Sequence, residues 1–264
     1  MVPPSEFEEK AVQKFMRKMI GKRSLFRKKT LENVIGENMV WMPYYKIQFD
    51  YKRSQRDLIQ RYGETGRGQT ALNAMFCGCA KSERELLMLF RPNYLKCKVI
   101  KRSPRPEEIV GPVFRIDSDR VLGGFVKRLN EANDELTELR SELQKSRLRL
   151  RRYRIIMPAI WGLKNDRTLS EKVAKLSAAK NTLSMCLNLN ESINSIEVTG
   201  NSIFYYPTLV ATLENKANEG ERYLIINLAD SGLTGKHLSY DKGLTKLCDK
   251  NTGCKEIIAK SITS

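Results

Sequence analysis

The chain has 264 residues, 41% of them hydrophobic and 29% charged, which is enough apolar sequence to bury a core and excludes wholesale disorder. Its 47 Lys and Arg against 30 Asp and Glu leave a formal net charge of +17, an excess that points to an anionic partner rather than to any fold. One histidine, His237, rules out a His-rich metal centre, and with no metal or cofactor motif the expectation is a protein that is not an enzyme.

The N-terminus carries Glu6, Glu8 and Glu9 where a secretory leader would carry positive charge, and no run approaches the apolar length of a membrane span, so a cytoplasmic protein with no membrane span is expected. From Ser5 to Met19, Phe7, Ala11, Phe15 and Met19 recur every four residues, which predicts an amphipathic helix with Ser5 and Glu8 as a capping box. Its other face and the loop beyond it are basic, with Lys14, Lys18, Lys22 and Arg23 as candidate phosphate contacts. The segment Met39 to Arg53 alternates Tyr45, Ile47, Phe49 and Tyr51 with polar residues and predicts a half-buried strand. Trp41, Tyr44 and Tyr45 follow the cations and read either as a base-stacking platform or as core.

Gly63 to Thr70 reads GETGRGQT and resembles the Walker A loop of P-loop ATPases, with Gln69 where the phosphate-reaching lysine belongs. Arg222 to Asp230, RYLIINLAD, resembles a Walker B strand. The resemblance implies a degenerate P-loop nucleotide-binding protein, in which Gly63, Gly66, Arg67, Gly68 and Thr70 would cradle an anion. Read from residue types alone, the same stretch is a glycine-rich turn.

Two stretches share an order of parts: an aromatic strand with an internal proline (Pro43, Pro207), a charged turn, a second extended segment (Asp57 to Tyr62; Arg222 to Leu228), a Gly-containing loop and a short helix ending in Cys77 or Cys248. This reads either as an internal duplication or as a chance alignment of common parts. Pro92, Pro104, Pro106 and Pro112 predict an extended connector. From Asp119 onward Leu122, Phe125, Leu129, Ala132, Leu136, Leu139, Leu143, Ser146, Leu150, Tyr153 and Met157 follow at alternating steps of three and four, a heptad seam that Pro158 ends. Leu169, Val173, Leu176, Leu183 and Leu187 reopen helical periodicity, which predicts an antiparallel coiled-coil hairpin. His237 falls in a Gly-rich stretch read as a surface loop.

The predicted class is α+β: two small helix-plus-antiparallel-sheet units with an inserted antiparallel coiled-coil hairpin. The expected divisions are an N-terminal helix and β unit (1–90), a proline-rich connector (91–118), the hairpin (119–190), and a C-terminal β unit with a terminal helix (191–264).

The six cysteines, Cys77, Cys79, Cys97, Cys186, Cys248 and Cys254, are irregularly spaced and suit reduced buried thiols. Whether Cys77 and Cys79 approach Cys248 and Cys254 is not readable from spacing. The first hairpin helix turns basic in its late half, at Arg140, Lys145, Arg147, Arg149, Arg151, Arg152 and Arg154, and Lys164 and Arg167 add to this at the start of the return helix. The residues from Arg140 to Arg154 would span roughly 20 Å of helix, enough to meet several phosphates. The expected partner is therefore RNA or DNA bound without sequence preference, or a ribonucleoprotein. The alternative is an adaptor whose hairpin packs on an acidic or helical protein partner.

Overall fold

The computed structural model describes residues 32–53, 65–97, 108–153, 160–189, 193–215, 220–230 and 236–263. The class is α+β, with helices and a six-stranded sheet among these residues. The strands are β1 (Glu32–Arg53), β2 (Thr65–Asn73), β3 (Ile109–Val110), β4 (Ile193–Asn215), β5 (Gly220–Asp230) and β6 (Lys236–Tyr240). Their order is β2-β1-β4-β5-β6, with β3 parallel to β1 through Val40–Ile109 and Trp41–Val110. β5 lies antiparallel to both β4 and β6. The helices are α1 (Glu83–Leu87), α2 (Ser118–Tyr153), α3 (Ile160–Leu187), α4 (Lys242–Lys250) and α5 (Thr252–Thr263).

The chain forms two compact units, and neither is continuous in sequence. The first comprises Met1–Ile47, Thr70–Ile116 and Asn201–Ser264. Val40 to Tyr45 are buried on both faces of β1, as expected of a strand covered on both sides. Leu209, Ala211 and Leu213 on β4 face the same side as Leu224, Ile226 and Leu228 on β5 and form one apolar cluster, against which Met39 and Tyr240 pack. Asp241 caps α4, its side chain accepting from the Leu244 N–H, and the Thr245 hydroxyl of the same helix takes the Ile225 N–H at 3.1 Å. A buried strand donor is thereby satisfied by the helix lying on it.

The second unit comprises Gln48–Gln69 and Asp117–Gly200. Asp117 opens α2 by accepting from the Arg120 N–H at 3.0 Å. The heptad positions carry the buried face: Leu122, Phe125, Leu129, Ala132 and Leu136 are buried and Leu139, Leu143 and Ser146 half-buried. Along α3 the grading reverses, from half-buried Leu169, Val173 and Leu176 to buried Leu183 and Leu187, and the two helices pack on each other. α3 ends on Asn188 at φ 57°, with Leu189 N–H donating to the Ser184 carbonyl and Asn188 N–H to that of Met185. This is a Schellman stop with asparagine in the left-handed position glycine usually takes. The Val198 N–H donates to Asp119 and the Asn130 amide to the Asn194 carbonyl, tying α2 to the first part of β4.

Several expectations change. The stretch after Arg91 is not a free connector within the described residues: Pro92–Lys96 is a 3-10 turn that buries Tyr94, and Ile109–Val110 enters the sheet. The two compact units are assembled from distant segments, and strands β1, β2 and β4 each contribute residues to both. Cys77 lies in a turn, since the Asn73 side chain accepts from the Phe76 N–H and bends the chain there before α1 begins. His237 sits in β6, paired with Ala229, rather than in a loop. The helix expected over Ser5 to Met19 and the extended segment Asp57 to Tyr62 lie outside the described residues.

Candidate functional site

The basic helical surface is built from the faces that the seam leaves outside. Arg140, Lys145 and Arg147 on α2 are exposed, as are Arg167, Lys172 and Lys175 on α3. Arg167 contacts Glu171 one turn on at 3.3 Å, a solvent-exposed pair that leaves most of its surface open. Between positions 140 and 175 the sequence holds eleven Lys and Arg against three Asp and Glu. Positions 118 to 139 hold three against five. Nearly half of the net charge thus falls on positions 140–175 of the sequence. Arg149, Arg151, Arg152, Arg154 and Lys164, together with Lys14, Lys18, Lys22 and Arg23, lie outside the described side chains. Thr137 and Thr182 donate to the carbonyls of Asn133 and Ala178 one turn back, so their hydroxyls serve the helices.

The glycine loop is corrected. Gly66, Arg67, Gly68 and Thr70 stand in strand β2, and Gly63 lies outside the described residues. A Cβ on Gly66 would come within 2.3 Å of the Tyr51 ring, and one on Gly68 within 2.3 Å of the Phe49 ring. The G-x-G spacing therefore matches the alternation of two aromatic rings and makes room for them. A concave site of about 740 Å³ opens beside it, with polar side chains from Gln48, Asp50, Arg67, Gln69, Asn188 and Thr199. Arg67 lies 3.7 Å from Asp50, so its charge is locally balanced and the site has no cationic excess. The Walker B resemblance also lapses, because β5 is antiparallel to both neighbours whereas the strands of a P-loop core are parallel.

Trp41, Tyr44 and Tyr45 are buried, which closes the stacking role. Tyr44 instead belongs to a buried constellation that sequence reading missed. Arg91 donates from Nε to Asp241 Oδ2 at 2.7 Å and from Nη2 to Oδ1, while its Nη1 donates to the Met88 and Phe90 carbonyls at 2.7 and 2.6 Å. Asp241 also accepts from the Tyr94 hydroxyl and the Asn227 amide, each at 3.3 Å. Tyr94 stacks on Tyr206 with centroids 3.9 Å apart, and Tyr44 meets Tyr94 edge-on at 5.1 Å. Burial works against charge on Asp241, but the adjoining Arg91 guanidinium and the hydrogen bonds from Leu244 and Asn227 hold its carboxyl below the usual range. Burial and the Asp241 charge push the Tyr44 phenol upward, so it stays protonated. The signals available in sequence were Asp241 as a helix cap and Arg91 before a proline; nothing local linked the two.

Two thiols share one support. The Asn251 side chain donates to the Cys79 carbonyl and accepts from the Cys254 N–H, and the Cys79 sulfur lies against Gly253, whereas the Cys77 thiol donates to the Ala74 and Phe114 carbonyls at 3.3 and 3.1 Å. Among the described residues no group of three or more His, Cys, Asp or Glu is arranged to hold a metal ion, and no helix is long and apolar enough to cross a membrane. Compared with protein-family models, with curated proteins and with solved structures, the chain matches none.

Proposed function

We propose that the protein is a non-enzymatic, sequence-independent nucleic-acid-binding protein that docks the phosphate backbone on the basic half of α2 and the start of α3. In this reading the two helices form an antiparallel coiled-coil hairpin, and the segments around β1–β2 and β4–β5 are two copies of one unit. The observation that carries the reading is the segregation of charge on the helices. The face occupied by Leu122 to Leu143 turns inward, and Arg140, Lys145, Arg147, Lys172 and Lys175 turn to solvent where acidic residues are few. Guanidinium groups repeated along a rigid helix suit bidentate contact with successive phosphates. The basic N-terminal residues Lys14, Lys18, Lys22 and Arg23 add a second cluster of the same sign.

The test is fluorescence anisotropy of nuclease-treated protein against duplex DNA, single-stranded DNA and structured RNA, each titrated across salt. Affinity that falls steeply with salt, and with a shallower slope in an Arg147→Gln, Arg149→Gln, Arg151→Gln, Arg152→Gln, Arg154→Gln variant, supports the proposal. No binding at low salt overturns it and leaves the adaptor reading, in which the hairpin packs on an acidic or helical protein partner.

A further inference from the structure

We propose that Cys79 is a site of thiol–disulfide exchange with small disulfides of the glutathione class, and that Cys254 resolves the adduct by closing a Cys79–Cys254 disulfide. The proposal is independent of nucleic-acid docking. Cys79 is partly exposed at the end of the Ala74–Cys79 turn, and Cys254 is fully buried on the first turn of α5. One side chain positions both: the Asn251 amide donates to the Cys79 carbonyl at 2.8 Å while its oxygen accepts from the Cys254 N–H at 3.4 Å. The Cys79 sulfur lies against the start of α5, 3.3 Å from where a Cβ on Gly253 would stand. A partly exposed thiol thus stands against the turn of helix that carries a buried one, which gives an incoming disulfide access to the first and leaves the second beside it. Cys97 lacks this arrangement, its sulfur lying near the Asn93 carbonyl and the Tyr206 hydroxyl.

The chemistry balances within the named reactants. The Cys79 thiolate attacks one sulfur of the small disulfide, whose S–S bond breaks and releases one small thiolate. The Cys254 sulfur, on losing its proton, attacks the Cys79 sulfur and expels the second small thiolate. Two protein thiols are oxidised, the small disulfide is reduced to two thiols, and the two released protons neutralise the leaving thiolates. Burial pushes the Cys79 thiol up to about 11, with Cys254 and Glu256 acting in the same direction and Lys81 against them. The Cys254 thiol is also raised, by its hydrogen bond to Cys248, by burial and by the neighbouring Glu85. Exchange is therefore slow at neutral pH and quickens by up to about tenfold per pH unit below that value.

The full-length protein is incubated under native conditions with glutathione disulfide at neutral pH and near pH 9, quenched with acid and mapped by mass spectrometry. The expected result is a fall of two from the six thiols of the sequence, a Cys79–Cys254 cross-linked peptide, and faster formation at the higher pH. Cys254→Ser is expected to stop at a glutathionyl adduct on Cys79, and Cys248→Ser to leave the cross-link intact. A Cys248–Cys254 or Cys77–Cys79 linkage overturns the proposal, as does a native chain that keeps all its thiols while the urea-unfolded chain reacts. Because the wild-type map decides between these results, the proposal does not depend on either variant folding.

Discussion

Arg91 and Asp241 stand 150 positions apart in sequence and meet in a two-point ion pair, with the Asp241 side chain 3% exposed and that of Arg91 18%. Each has further partners: Arg91 saturates two carbonyls of the turn after α1, and Asp241 caps α4. The pair therefore holds the end of one segment against the beginning of another within the first unit. Removing one partner leaves the other charged and buried. Asp241→Ala is expected to destabilise the fold by about 3–5 kcal/mol, measured as a drop in the urea midpoint at constant slope. A loss no larger than that of an exposed substitution would show the pair to be incidental.

The same carboxylate sets an acid limit on stability. Its folded value lies below the unfolded value of about 3.9, so the folded state binds this proton less readily than the unfolded chain. The contribution is fully present above the unfolded value and is lost as pH falls through the folded one. Urea unfolding followed from neutral pH downward is expected to show the midpoint falling most steeply below about pH 4, with a shallower fall in Asp241→Asn.

Gly68→Ala is expected to cost about 1–2 kcal/mol, because the added methyl meets the buried Phe49 ring and the strain exceeds the gain from a stiffer unfolded chain. Pairing it with Phe49→Leu should recover part of the loss. Thermal melts of the single and double variants decide, and a stabilised Gly68→Ala would show that the ring moves aside freely.

The reversal of burial along α2 and α3 makes a graded prediction. Leu129→Ala, at a position 1% exposed, is expected to lose about 2–5 kcal/mol. Leu143→Ala, half-buried and about four turns nearer the basic end of the helix, should lose distinctly less. Equal losses in chemical denaturation would mean that the seam is covered uniformly.

For the helical surface, Arg140→Gln, Lys145→Gln and Arg147→Gln together should lower the slope of log affinity against log salt by up to about 3 on duplex DNA. Stability should change little, because all three side chains are exposed.

What could be read from residues alone were features with a local period. The alternation of Ile47, Phe49 and Tyr51 appears as a half-buried strand, and the steps from Leu122 to Leu143 appear as the inward face of a helix. The glycine pair misled because G-x-G has one appearance in sequence and two physical origins, a backbone opened for phosphate or a gap left for a ring. Its partner rings, Phe49 and Tyr51, lie on another strand. Tyr94, Arg91 and Asp241 were illegible for the same reason, since contacts between distant segments leave no periodic trace. The thiol group lay between these cases: spacing showed two cysteine pairs but not that Cys79 shares Asn251 with Cys254.

The first unit draws on segments before Ile47, between Thr70 and Ile116, and after Asn201, and this has a consequence for how the protein is made. When Arg91 leaves the ribosome its carboxylate partner has not been synthesised, and the Tyr206 ring on which Tyr94 stacks is missing as well. At about 5–20 residues per second, the 150 positions to Asp241 represent roughly 8–30 s of translation. Until β4 emerges, β1 lacks that neighbour in the sheet, while α2 and α3, successive in sequence, can pair as soon as they emerge. The two helices can therefore form before the sheet is complete, and the apolar strand β1 waits for the strands that are synthesised after them.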